Sequence, residues 1–259
     1  MDRQGGKVQK KRKIGITIEA RMSATRLPGK VLKPLHGKPM LARMIERLKR
    51  VKSADIIVLA TTDQPQDQPV ADLAMDMGIG HYQGSSQDVL DRVLKAAKKY
   101  DIDLIVETCG DCPVIDPGTI DRQIQAFLGS DVDYVGCHLT KTLPFGLDAK
   151  LFTTKTLEEV ANTTNDPPDR ENVSLYIYEH PQQYKLLNIE AKGRYRRPDL
   201  RLVVDYPEDF NLIENIYKEL YDQNPCFDYG DILDLFERRP DLVEINRNVV
   251  NIKVAGRKN

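Results

Sequence analysis

Apolar and polar positions first alternate over Ile14 to Ala20, where isoleucines stand at 14, 16 and 18 and a side-chain period of two predicts a strand. In residues 38–52, KPMLARMIERLKRVK, the apolar residues Met40, Leu41, Met44, Ile45 and Leu48 recur at helical spacing with charges opposite, which predicts an amphipathic helix. DIIVLA, residues 55–60, is apolar without interruption, as in a strand buried on both faces of a parallel sheet. The same reading predicts helices over 69–78 and over 86–100 behind a Ser86 cap. A strand at 102–107, a helix at 117–128 and a strand at 132–136 follow. Strand and helix taking turns predicts right-handed crossovers and a mostly parallel, doubly wound α/β sheet. After residue 140 the pattern loosens. TLPFGLDAKLF (142–152) reads as a loop or hairpin, 154–162 and 170–179 as helices, 184–190 and 200–205 as strands, and 207–221 and 228–238 as helices. The second half therefore reads as α+β additions completing the same sheet.

A chain of 259 residues with 41% hydrophobic content suits one large α/β domain, taken here as residues 14–240. Before it, MDRQGGKVQKKRK (1–13) is basic and glycine-containing and reads as a disordered tail; residues 241–259 read as a C-terminal extension. The net charge of −1 argues against a nucleic-acid partner, so any phosphate affinity must be local. No apolar run is long enough to cross a bilayer, which predicts no membrane partner and a cytoplasmic protein. Cys109, Cys112, Cys137 and Cys226 are too few for a disulfide framework. Cys109 and Cys112 form a C-x-x-C without a second ligand pair for zinc and within a turn rather than at a helix start, so they read as unrelated small side chains.

Ligands of doubly wound sheets bind beyond the carboxyl ends of the strands, which points to the loops opening at 21, 61, 84, 108 and 205. The first, ARMSATRLPGK (20–30), gathers Arg21, Arg26 and Lys30 at one strand end with Ser23 and Thr25 as further donors, a set suited to a polyanion. Pro28 and Gly29 allow a tight turn there. The stretch is no Walker A loop, because Ala24 and Val31 stand where glycine and a hydroxyl residue are needed. In TCGDCPVIDP, Gly110 and Asp111 follow a strand, and Asp205 closes LRLVVD before a helix-starting proline. Two carboxylates at two strand ends could share one hard cation such as Mg2+. In GSSQDVLDR (84–92), Ser86 and Asp88 read as caps, while Gly84, Ser85, Asp91 and Arg92 are candidate nucleotide contacts. A basic surface loop at 20–30 is the competing reading on composition alone.

Taken in order, IEARMSATRLPGKVLKPLHGKPML, VLATTDQPQDQPV, GSSQDVLDRVLKAAKKY, GDCPVIDPGTID, PFGLDAKLF and VVDYPEDFNLI form a sequence that resembles the cytidylyltransferases making CMP-activated acidic sugars. Within them it is most similar to the branch of spore-coat polysaccharide biosynthesis protein F, over residues 13–222. The resemblance implies a Rossmann-like nucleotidyltransferase (GT-A-like) domain, CTP and a small acidic acceptor as substrates, Mg2+ as cofactor, and a homodimer. It implies that Arg21 and Lys30 meet the triphosphate and that Asp111 and Asp205 are the metal ligands. Ala20, Thr62 and Gly110 then join the nucleotide contacts, and Gly146, Asp148, Glu171 and Asn172 face the acceptor. This chain departs from the branch in having Glu19 for Gln, Ser23–Ala24 for a Gly-Ser pair, and ENVS (171–174) for Glu-His-Val-Thr. Rival readings are a pyrophosphorylase using another nucleotide, a glycosyltransferase on the same scaffold, an inactive nucleotide-binding module, and an interaction protein acting through its basic tail.

Overall fold

Residues 11–147 and 149–250 are described by a computed structural model. Its strands are β1 (Ile14–Glu19), β2 (Pro34–Leu35), β3 (Lys38–Pro39), β4 (Ile56–Thr62), β5 (Gly80–Gly84), β6 (Leu104–Cys109), β7 (Tyr134–Gly136), β8 (Lys150–Thr153) and β9 (Leu186–Asn188). Its helices are α1 (Met40–Leu48), α2 (Gln68–Asp76), α3 (Val89–Lys99), α4 (Pro117–Leu128), α5 (Thr154–Thr163), α6 (Pro167–Glu171), α7 (Leu175–Glu179), α8 (Pro207–Leu220), α9 (Tyr229–Arg238) and α10 (Asp241–Glu244). Among the described residues a seven-stranded sheet runs β5-β4-β1-β6-β8-β7-β9. Pairing is parallel except where β8 meets β6 and β7. This is the mostly parallel α/β class that the sequence predicts.

Each central strand is buried on both faces, as its composition requires. Ile14, Ile16 and Ile18 of β1 join Ile57 and Leu59 of β4 in a core with Leu41, Met44 and Ile45 of α1 and Ile120 and Ile124 of α4. Val58 and Ala60 project the other way, against Val89, Leu90 and Val93 of α3 and Leu157 and Val160 of α5. A third cluster, with Phe210, Ile213 and Ile216 of α8, Ile232 and Phe236 of α9 and Leu242 of α10, packs against Leu202 and Val204. These layers leave the carboxyl ends of β1 and β6 side by side, Glu19 in register with Cys109.

Several local expectations are corrected. The strand at 80–84 escapes the pattern reading because GHYQG has no apolar alternation; pairing with β4 makes it. Residues 150–153, read as part of a loop or hairpin, form β8, a strand between β6 and β7. Residues 200–205 are not a strand. Their backbone is shared between partners, Leu202 N donating to Phe145 O at 2.7 Å and Val204 N to Asp111 O at 2.8 Å, so no ladder grows. The helix expected at 170–179 divides into α6 and α7 at Asn172 (φ −109°, ψ 46°). The cap of α3 is Asp88, whose carboxylate accepts from Asp91 N at 2.9 Å, rather than Ser86. Of the expected tail, residues 1–10 lie outside the described residues. Lys11 pairs with Asp55 at 3.0 Å, and the Lys13 carbonyl accepts from Asp103 N at 2.8 Å.

Candidate active site

The loop after β1 owes its shape to a few backbone anchors. Met22 N donates to Asp67 Oδ1 at 2.6 Å, and Met22 O accepts from Ala24 N at 2.9 Å and Gly29 N at 3.0 Å, so the chain folds back on itself. Gly29 takes φ 70°, a left-handed conformation that favours glycine, and starts the short turn Lys30–Leu32. That turn aims Lys30 inward, where the whole residue is 8% exposed.

Lys30 Nζ donates to Asp111 Oδ2 and to Asp205 Oδ1, each at 2.9 Å, and to the carbonyl of Val204 at 2.6 Å. Arg26 joins at Asp205 Oδ1 (2.9 Å), and Arg201 donates to Asp205 Oδ2 (2.9 Å) while also pairing with the fully buried Asp209 at 2.8 Å. Asp209 accepts from the backbone N–H groups of Asp205 and Tyr206 at 2.9 and 3.0 Å, closing the start of α8. Asp209 thus both caps the start of α8 and orients Arg201 toward Asp205. Burial would depress the Lys30 ammonium, but Asp111 and Asp205 outweigh it and raise its pKa. Burial would likewise lift the Asp205 carboxyl, yet Lys30 and Arg26 hold it below the usual carboxylate value.

Around this cluster opens a cleft of about 420 Å³ lined by Glu19, Arg21, Arg26, Lys30, Arg92 and Asp111, among others. Of the residues expected at the site, the cleft also gathers Ala20, Ser23, Thr25, Gly110, Glu171, Asn172 and Asp205. Gly110 is needed for close approach: a Cβ there would lie 2.8 Å from Ala20 Cβ and 3.1 Å from the Glu19 carbonyl. Glu171 and Asn172 arrive because Asp88 holds Arg170 of α6 through both carboxylate oxygens at 3.0 Å, fixing that helix beside α3. Arg21 reaches Ser86 O at 3.4 Å and Glu171 at 4.0 Å, both weak ties that leave its guanidinium available.

Among the described residues, the other expected contacts do not line the cleft. Thr62 donates to Asp67 and so supports the loop at Met22 from behind. Gly84 packs against the Tyr82 ring. The Ser85 hydroxyl accepts from Gln87 N and Asp88 N, while Asp91 pairs with Lys95 at 2.8 Å. Gly146 (φ 105°) lies against the backbone of Leu202 and Val203, where any Cβ would clash. Asp148 lies outside the described residues.

Val31, Val89 and Cys109 line the cleft without having been placed in it from sequence, and Glu19, which departs from the branch pattern, lines it with them. The signal for Glu19 was its position as the last residue of β1. Its Oε1 is buried with no partner among the described residues, as is Nε of Arg92, and its carboxyl is pushed up to about 8 by burial and then by Glu107. Glu107 itself is held by Lys150 at 2.8 Å. The Cys109 thiol is raised well above its ordinary value by burial and then by Glu19, which keeps it in the unreactive thiol form. A larger concavity of about 800 Å³ near Arg50, Asp116 and Tyr229 shares no lining residue with the cleft.

No cluster of three or more His, Cys, Asp or Glu suited to a metal occurs among the described residues. The donor set of Asp111 and Asp205 nevertheless fits a hard divalent ion of the Mg2+ kind. Mg2+ is commonly held by one or two carboxylates and completed by water and phosphate oxygens. The two carboxylates already converge on one cation, the Lys30 ammonium. Across the described residues no helix is long and apolar enough to cross a membrane.

A cytidylyltransferase family profile matches residues 15–234. The spore coat polysaccharide biosynthesis protein SpsF of Bacillus subtilis (strain 168) is 32% identical over 231 residues, 86% of this chain and 94% of that protein. A 3-deoxy-manno-octulosonate cytidylyltransferase of Anaeromyxobacter sp. (strain K) is 36% identical over 120 residues, 46% of this chain and 48% of that one. Among solved structures, a cytidylyltransferase from Leptospira borgpetersenii serovar Hardjo-bovis (strain JB197) aligns with a TM-score of 0.86 at 29% identity, covering 94% of this chain and 100% of that one.

Proposed function

Because the chain belongs to the cytidylyltransferase family, we propose that it couples CTP to an acidic sugar or related small acidic acceptor, releasing pyrophosphate and a CMP-activated product for surface polysaccharide or glycan synthesis. The observation that carries the reading is the meeting of Lys30, Asp111 and Asp205, from three distant stretches, in one cleft beside Arg21 and Arg26. The name of the 3-deoxy-manno-octulosonate cytidylyltransferase relative supports an acidic-sugar acceptor, and that of the spore coat protein supports a product used in polysaccharide synthesis.

An acceptor oxygen would attack the α-phosphorus of CTP in line with the departing pyrophosphate, a step that needs alignment and charge neutralisation more than covalent help. Arg21, Arg26 and Lys30 would meet the β- and γ-phosphates and stabilise the charge that develops on the leaving group. Ser23 and Thr25 supply hydroxyl donors on the same loop. Asp111 and Asp205 would hold Mg2+, which when bound supplies positive charge that polarises the α-phosphate. Glu171 and Asn172, which line the same cleft, would face the acceptor. The reading carries with it a homodimer working in the cytoplasm, the first tested by light scattering on the eluting protein.

Pyrophosphate release measured with CTP, UTP and GTP against a panel of sugar acids tests the proposal. Release with CTP and a sugar acid, abolished by Asp111→Ala, is the expected result. A preference for UTP or GTP, or turnover with sugar phosphates alone, would replace the donor and acceptor assigned here.

A further inference from the structure

Lys30 is held more closely than a lysine waiting for phosphate needs to be. Its three N–H bonds are all spent, on Asp111 Oδ2, Asp205 Oδ1 and the Val204 carbonyl. Those two carboxylates are the pair that the proposed reaction gives to a divalent ion. The Lys30 ammonium therefore already stands between the two carboxylates where a metal would have to bind, with Arg26 on the same Asp205 oxygen, and a further positive charge at that separation is repelled strongly.

We propose that Lys30 is a resident cation that keeps Asp111 and Asp205 together in the free protein and releases them to a divalent ion only when a triphosphate draws its ammonium away. The inference rests on the reading of Asp111 and Asp205 as metal ligands. Without a cation between them the two carboxylates would repel and splay, so the ammonium preorganises the pair. Lys30 is 8% exposed, and an ammonium so enclosed does not leave for water cheaply; it needs another anion, which the triphosphate provides. Asp205 stays in place during the exchange because Arg201 grips its second oxygen and is itself anchored by Asp209. Metal and triphosphate binding then depend on each other, and the dependence is reciprocal.

Manganese titrated into the full chain without nucleotide, with free ion read by its electron paramagnetic resonance signal, tests this directly. Lys30→Met should bind manganese at least about tenfold more tightly than the wild type, which should show no saturable binding at millimolar metal. Arg21→Gln removes the same charge from the same cleft but touches neither carboxylate, and should, like the wild type, show no saturable binding. Equal affinity in wild type and Lys30→Met overturns the proposal while leaving the metal ligands standing. An equal gain in Arg21→Gln also overturns it, since any lost charge would then suffice. Manganese bound by neither Lys30→Met nor the wild type removes the metal-ligand reading and this inference with it. Circular dichroism checks the fold. Should Lys30→Met fail to fold, Lys30→Gln repeats the test, and saturable binding by the nucleotide-free wild type is by itself enough to refute it.

Discussion

Charge at single positions sets much of this site. Asp111 and Asp205 come from distant stretches and meet one ammonium, so replacing either by Asn should leave the fold intact and reduce turnover by about a hundredfold or more, the scale of losing several kcal/mol of charge stabilisation. Steady-state pyrophosphate release with matched circular dichroism checks it. Glu19 makes a different prediction. Its carboxyl is raised from 4.5 to about 8, by burial first and Glu107 second, so between those pH values the folded protein holds a proton that the unfolded chain has released. Stability from this group is full below pH 4.5 and is lost as pH rises through about 8. Glu19→Gln, which cannot ionise, should gain thermal stability over the wild type progressively across that range. Melting temperatures that differ by a constant amount from pH 4.5 to 8 would contradict the assignment.

Elements bring these groups together through short, exacting junctions. The turn after β6 passes so near β1 that Gly110→Ala would place a methyl group 2.8 Å from Ala20 Cβ, and neither backbone can retreat without moving Glu19 or Asp111. A cost of about 1–3 kcal/mol is expected from such overpacking, with a larger relative loss of turnover than of stability, read by urea unfolding beside kinetics. The start of α8 is the second junction. Asp209 is fully buried, caps that helix and pairs with Arg201, so Asp209→Ala leaves a buried guanidinium short of its partner. Breaking a buried pair in this way costs about 3–5 kcal/mol, and the denaturation midpoint should fall accordingly. Asp205, held by the same arginine, would shift with it, joining an element's stability to the geometry of the cleft.

At the scale of the whole molecule, a near-neutral chain offers no general field for polyanions, with a net charge of −1. On the proposed function, affinity for a nucleoside triphosphate comes from the cleft around Lys30 and should be specific. CTP with a divalent ion, at about a hundredfold excess over its Kd, would stabilise the folded state by about 2.7 kcal/mol, which a chain of this size registers as several degrees in melting temperature. UTP and GTP at the same concentration should shift it less. Equal shifts from all three would mean that the cleft reads phosphates and ignores the base.

The sequence by itself determined the class of fold and the loops that matter, because both are written in local signals. Isoleucines alternating at 14, 16 and 18, the unbroken run at 55–60 and the helical spacing over 40–48 each report burial on known faces, and the loops at strand ends follow from that order. The sequence also named Lys30, Asp111 and Asp205, through residue types unusual for surface loops and through a resemblance to a family. Only the tertiary structure decided that the lysine is bound by the two carboxylates and that, of the candidate nucleotide contacts, Arg92 lines the cleft while Thr62, Ser85 and Asp91 turn to neighbours elsewhere. It also made strands of GHYQG and of KLFT, and denied one to 200–205. The physical reason is common to all of these: a side chain's partner, or a strand's neighbour, is supplied by residues tens of positions away, and no local pattern encodes what packing alone brings within hydrogen-bond reach.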